Sequence, residues 1–114
     1  GYSEGALYIH SAAAGRKIEI LKRNPAVCLE IETPSAILRH AEPCHCGVQA
    51  RSLIGYGRVE VITDDAGKRR GLDILMAHHG KRGVNAYDEK ELRTVVILRV
   101  RIERVTCKQL GGAL

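Results

Sequence analysis

The chain has 114 residues, enough for a single domain over 1–114, and its 45% hydrophobic content excludes an intrinsically disordered segment. With four Tyr, no Phe and no Trp, the core has to be built from Val, Ile and Leu. A formal net charge of +5 would suit an anionic partner, but the cations are dispersed and aromatics scarce; this argues against a nucleic-acid binder and for a mixed, solvated surface.

Residues Ala6 to His10, "ALYIH", read as a strand bounded by Glu4-Gly5 and a corner of small residues. Ala13 to about Arg23 reads as a helix, with Ile18, Leu21 and Lys22 spaced for one face. Asn24-Pro25 stops it, because proline disfavours helical backbone in the residue before it. Ala26 to Glu32, "AVCLEIE", is a strand with Val27, Leu29 and Ile31 on one face, and Cys28 within it reads as a buried free thiol. Thr33 to Ala50 is a long irregular segment, of the kind that is usually functional or mobile.

Arg51 to Thr63, "RSLIGYGRVEVIT", is a long strand in which Gly55 and Gly57 mark a bend, a bulge or a close backbone approach. Thr63-Asp64-Asp65 caps a helix from about Ala66 to His79, with Leu72, Leu75, Met76 and His79 as its apolar stripe. "HHGKRGVNAYDEKEL" is a loop with room for one helical turn, and Thr94 to Val105 a final long, alternating strand. Four such strands with short helices predict a mainly β, α+β protein: a curved antiparallel sheet or small barrel flanked by helices. Four strands are too few to close a barrel, so closure requires strands upstream of Gly1 or a second subunit.

No apolar run reaches membrane-spanning length and no secretory leader is visible. The four cysteines do not have the density of a secreted disulfide scaffold, so a cytoplasmic protein with reduced thiols is expected. The first residue lies almost inside a strand and is not Met, which leads us to expect a natural chain that begins earlier.

The run Tyr8 to Pro25, "YIHSAAAGRKIEILKRNP", carries the chemistry. A helix start offers unpaired N–H groups and a partial positive charge, and it binds phosphate readily. Ser11 adds a hydroxyl just ahead of the helix, Gly15 admits close approach, and Arg16 and Lys17 add a planar fork and a compact charge. By these residues alone the run also fits an ordinary solvated helix start, with His10 a hydrogen-bonded strand-end histidine and Ser11 a cap. In "HAEPCHCG", His40, Cys44, His45 and Cys46 are metal-ligand types. The pair is Cys-x-Cys and no second pair follows, so the segment is read as a loop with thiols and no metal is expected. No catalytic residue can be named.

Three stretches, "LYIHSAAAGRKIEILKRNPAVCLEIE", "RSLIGYGRVEVITDDAGKRRGLDILMAHH" and "VVILRVRIERVTCK", resemble the flavin-binding split-barrel proteins related to pyridoxamine 5'-phosphate oxidase, and within them the nitroimidazole-resistance branch. The resemblance covers nearly the whole chain. It implies an antiparallel split β-barrel with short flanking helices, completed by dimerisation, with FMN bound at the homodimer interface. Family members usually carry an N-terminal segment with the first two strands, which the resemblance leads us to expect upstream of Gly1. Position by position, His10 and Ser11 take the strand-end pair that contacts the flavin, Arg16 and Lys17 the pair that holds its phosphate, and Ser52, preceded by Arg51, a polar place that reaches FMN. Cys107 stands where relatives often have Gly, and Ala50 where many have Tyr.

The implied activity is that of an FMN-dependent oxidoreductase acting on a small molecule, with nitro-group reduction suggested by the branch. A nicotinamide donor would bind transiently, since no G-x-G-x-x-G fingerprint is present. The alternative is a non-enzymatic haem- or flavin-binding module, with His10, His78 and His79 as axial-ligand candidates.

Overall fold

The computed structural model describes residues 1–111. In chain order the elements are β1 (Tyr2–Ser3), β2 (Ala6–Ala12), α1 (Arg16–Arg23), β3 (Ala26–Glu32), β4 (Ala36–Leu38), a 3₁₀ turn (Pro43–His45), β5 (Gly47–Ile62), α2 (Asp65–His78), α3 (Glu89–Thr94) and β6 (Val95–Leu110). The strand order is β1-β2-β6-β5-β3, with β4 added on β5. The pairing of β2 with β6 is antiparallel from Ala6 opposite Arg101 to Ala12 opposite Val95.

The four expected strands are present, and two short ones bring the number to six. β1 has two residues and β4 three, too short for an alternating pattern to register. The stretch 33–50, expected to be irregular, contains β4, the 3₁₀ turn and the start of β5, which pairs Ala36 with Gln49 and Leu38 with Gly47. Cys28, expected inside, is exposed, because the inward positions of β3 fall to its neighbours Val27 and Leu29.

The chain divides into two compact units, Gly1–Val27 with Gly57–Glu103, and Cys28–Tyr56 with Arg104 onward. The division falls within β3, β5 and β6. The first unit has a packed core: Ala6, Tyr8 and Ile97 are buried together, with Ile62, Leu72, Ile74 and Leu75 against them. Ile18, Leu92, Val96, Leu98 and Val100 are buried as well. Helix α2 packs Leu72 and Leu75 inward as its spacing predicts. His79, expected in the apolar stripe, is instead the exposed residue that ends the helix.

The start of α2 is capped by Asp64, whose carboxylate accepts the Gly67 N–H at 2.8 Å. The basic run that follows is engaged within the chain. Lys68 Nζ donates to the Leu92 carbonyl at 3.0 Å, Arg69 binds Asp65 and Glu89, and Arg70 lies 3.6 Å from Glu4. Asp65 first, then Glu89, raises the Arg69 pKa.

The second unit is different. Among its described residues no apolar side chain is fully buried, and Ile31, Ile37, Leu38, Val48, Ile54, Tyr56, Val105 and Leu110 are all exposed. Ile37 shows 66% of its surface. Within this unit Leu29 packs on the backbone of Gly55, where an added Cβ would lie 3.1 Å from Leu29 Cδ1. Arg104 stacks over the Tyr56 ring at 4.2 Å.

Candidate functional site

In the first unit, the strand-to-helix corner is built by β2 and α1. β2 runs two residues further than expected, because its ladder with β6 continues through Ser11 opposite Val96 to Ala12 opposite Val95. The Ala13 N–H then bonds the Thr94 carbonyl at 3.0 Å, so the backbone that would have been the first helical turn belongs to the sheet margin. The helix therefore begins at Arg16, three residues later than the apolar spacing predicts. Ser11 is not a helix cap. It lies in the strand and is the one buried polar residue among those described, at 8% exposure. His10, opposite Ile97, is exposed.

The residue before α1 is Gly15, at φ 125° and ψ 174°. Side chains other than hydrogen are strained there, so glycine is what permits the abrupt turn from strand into helix. No side chain caps α1. Its leading N–H groups point out of the helix end without an intrahelical partner, and Arg16 and Lys17 are its first two residues, both exposed. Ile18 is buried at 3% exposure and pins the helix. Glu19 is the only acidic residue of the first turn. The helix ends as predicted: the Asn24 N–H bonds the Ile20 carbonyl at 2.9 Å, and Asn24 Oδ1 accepts from Ala26 N at 3.1 Å.

Arg51 and Ser52 belong to the second unit. They line a cavity of about 390 Å³ whose walls are mostly apolar, with Ile31 and Leu53 on its sides and Thr33, Cys107, Lys108 and Gln109 completing it. Thr33 ties the end of β3 to β5: its hydroxyl accepts the Arg51 N–H at 3.1 Å, and its own N–H donates to the Arg51 carbonyl at 2.9 Å. Thr33, Lys108 and Gln109 were not singled out by the sequence. Only the pairing of distant strands reveals them, although Lys108 could have been noted as a late-strand cation. The structure thus keeps His10, Ser11, Arg16 and Lys17 at one corner of the first unit, and Arg51 with Ser52 at the cavity of the second.

His78 lines another open cavity, of about 490 Å³, with Tyr2, Ile74 and Arg82. Its ring meets that of His79 edge to face at 5.2 Å. No helix among the described residues is long and apolar enough to cross a membrane.

A family model described as pyridoxamine 5'-phosphate oxidase matches residues 1–109. No curated protein sequence matches the chain. A solved structure from Bacteroides thetaiotaomicron, a candidate 5-nitroimidazole antibiotic resistance protein, is 32% identical with a TM-score of 0.77, covering 94% of this chain and 63% of that one. A FAD-binding protein from Mesorhizobium loti is 26% identical over 93% of this chain and 69% of its own, with a TM-score of 0.58. A FAD and haem binding protein from Mycobacterium smegmatis shares the fold at 20% identity and a TM-score of 0.75, covering 98% of this chain and 57% of that one. The chain spans less than two thirds of the Bacteroides protein it resembles. The mostly antiparallel sheet with three helices is thus a split-barrel-like α+β fold, and the chain belongs to the pyridoxamine 5'-phosphate oxidase family.

Proposed function

We propose that this chain is a flavin-binding oxidoreductase module that uses FMN, works as a homodimer and reduces a small electron-poor compound of the nitroaromatic class. The observation that carries the reading is the uncapped start of α1: Gly15 turns the backbone, and Arg16 and Lys17 follow at once on a helix end with free N–H groups. That donor set fits a phosphate monoester. The names of the Mesorhizobium and Mycobacterium proteins support a flavin as the group attached to it, and that of the Bacteroides protein supports a nitroimidazole-type substrate.

Bound flavin would supply the electron transfer. The residues of this chain would do the rest. Arg16 and Lys17 neutralise the phosphate, and Ser11 holds a hydroxyl at the buried end of β2. Arg51 and Ser52 present a cation and a hydroxyl at the mostly apolar cavity of the second unit, a lining that suits a flat, weakly polar substrate. A nicotinamide donor would dock transiently. The exposed apolar residues of the second unit support the homodimer, since a surface of this kind requires a cover.

The test is the chromophore itself. The purified chain, reconstituted separately with FMN, FAD and riboflavin, is expected to hold FMN at one per chain and to bleach anaerobically with a reduced nicotinamide, recovering when a nitroimidazole is added. A Soret band in the protein as isolated, with no flavin released on heating, would replace this reading with the haem-binding one. FAD bound in strong preference to FMN would correct the cofactor.

A further inference from the structure

We infer that the loop His40–His45 is a binding site for a divalent transition-metal ion of the zinc class, with His40, Glu42 and His45 as its protein ligands. One ring nitrogen from each histidine and one carboxylate oxygen converge so that all three lie within 4.8 Å of one another. Two of them are already at ligand spacing: Nδ1 of His45 stands 3.1 Å from Oε2 of Glu42. In a tetrahedral shell with bonds of about 2.0 Å, neighbouring ligand atoms are about 3.3 Å apart, so an ion fits between these two with little movement.

A carboxylate beside an imidazole is an ordinary surface contact by itself. The third group makes the difference. The His40 ring meets the His45 ring edge to face, with centroids 4.8 Å apart and planes at 83°. The loop holds that arrangement without an ion. The Glu42 N–H donates to Nδ1 of His40 at 3.1 Å, which fixes the ring. Cys46 Sγ clamps the backbone from the other side, accepting the His40 N–H at 3.4 Å and donating to the His40 carbonyl at 3.4 Å. Pro43 opens the 3₁₀ turn between the ligands and stiffens it.

The chemistry of the set selects the ion. Imidazoles with one carboxylate suit zinc, nickel and copper, whereas magnesium and calcium prefer all-oxygen shells. Three protein ligands leave at least one position to water, the pattern of an open site. All three residues are exposed, so the ion enters without the loop opening. In the contact with Glu42 a neutral His45 carries its proton on Nδ1; moving it to Nε2 frees the lone pair for the ion. An ion on Nδ1 of His40 takes the place of the Glu42 N–H there. Cys46 keeps its bonds to the His40 backbone and is not a ligand.

The sequence alone suggested otherwise, because Cys-x-Cys without a second pair is a poor zinc pattern and Glu42 gave no signal. The structure points instead to the two histidines, His40 and His45, with Glu42 between them. The test is zinc titration of the full chain under a thiol-free reductant, followed by calorimetry, with cobalt substitution as a spectroscopic probe. One zinc per chain is expected, unmoved by millimolar magnesium, and a cobalt spectrum without thiolate charge-transfer absorption. His40→Ala and His45→Ala should each weaken zinc by at least about tenfold. Cys44→Ser should leave it unchanged. Absence of stoichiometric binding to the unaltered chain would overturn the inference. So would unchanged binding in the double histidine variant, or thiolate absorption from bound cobalt.

Discussion

The Tyr87 phenol donates a 2.7 Å hydrogen bond to Oδ1 of Asp73, and the same oxygen accepts the Asn85 backbone and side-chain N–H groups at 3.0 Å each. Asp73 lies in α2, while Asn85 and Tyr87 lie in the loop that leads to α3, so one carboxylate oxygen holds that loop against the helix. Partial burial raises the Asp73 pKa, but the bonds from Asn85 and Tyr87 outweigh it and hold the carboxyl below the usual carboxylate value. Tyr87 is pushed up to about 12 by burial first, and then by its bond to Asp73.

These two shifts set the pH behaviour of the loop. A depressed carboxylate contributes stability that is present above its unfolded pKa and is lost as pH falls through its folded one. A raised phenol contributes stability that is present below its unfolded pKa of about 10 and is lost as pH rises toward the folded value. Loop protection should therefore be flat through neutral pH and decline at both extremes. Tyr87→Phe should cost about 1 kcal/mol of local stability, the lower part of the range for a bond to a charged group, because the cluster is half open to water. It should also abolish the alkaline decline. Amide hydrogen exchange over residues 80–88 measures both; exchange identical to the unaltered chain at every pH would remove the Tyr87 bond to Asp73 as an anchor of the loop.

Gly57 tests the register of the long strands. A Cβ on it would lie 2.2 Å from the carbonyl oxygen of Arg101, which is backbone and cannot swing away. Gly57→Ala should cost roughly 3 kcal/mol or more and lower Tm on the order of 10 °C. Gly47→Ala is the control, because its nearest neighbour, Leu38 Cδ1, is at 4.0 Å. Equal melting curves for the two variants would show that β5 and β6 do not approach at Gly57 as described.

Gly57 also shows what was legible in the sequence. A glycine inside an alternating strand signals a close approach, and the structure supplies the approach. The long strands, α2 and the Asn24-Pro25 stop were readable because each rests on local chemistry: alternation, capping and proline sterics. What could not be read depended on partners distant in the chain. The start of α1 moved from Ala13 to Arg16 because Thr94, some 80 residues on, takes the Ala13 N–H. Thr33 meets Arg51 across 18 positions; the outward turn of Cys28, by contrast, is local, since the inward positions of β3 fall to Val27 and Leu29. At the corner itself, the placing of Gly15, Arg16 and Lys17 at a helix start was legible, while the first residue of the helix and the place of Ser11 in the strand were not.

The exposed apolar residues of the second unit predict self-association. Exposed apolar residues gathered as Ile31, Ile37, Leu38, Val48 and Val105 are call for a cover. A homodimer should bury well over about 1,000 Å², the usual floor for a specific interface. Light scattering at micromolar concentration should give twice the chain mass, and Ile37→Glu should shift it toward one. A monomeric mass for the unaltered chain would count against the dimer and leave these residues to another partner.

The corner at α1 gives the sharpest prediction about the cofactor. Arg16 and Lys17 open a helix that no side chain caps, and both are exposed, so their replacement disturbs no packing. Alanine is the best helix former, so the fold should survive Arg16→Ala and Lys17→Ala. A charge-assisted hydrogen bond to phosphate contributes about 1.5–3 kcal/mol, which is roughly tenfold to a hundredfold in affinity. Each variant should therefore weaken FMN by about that factor, while riboflavin, which has no phosphate, should bind as it does to the unaltered chain. The ratio of the two affinities, taken from fluorescence titrations, isolates the phosphate from any effect on the ring. Parallel weakening of both ligands would mean that the cations act through the fold or the ring. An unchanged FMN affinity in the double variant would leave Arg16 and Lys17 as ordinary solvated residues at the start of a helix. A ratio that collapses toward one in the double variant, with the melting temperature preserved, is the result this geometry requires.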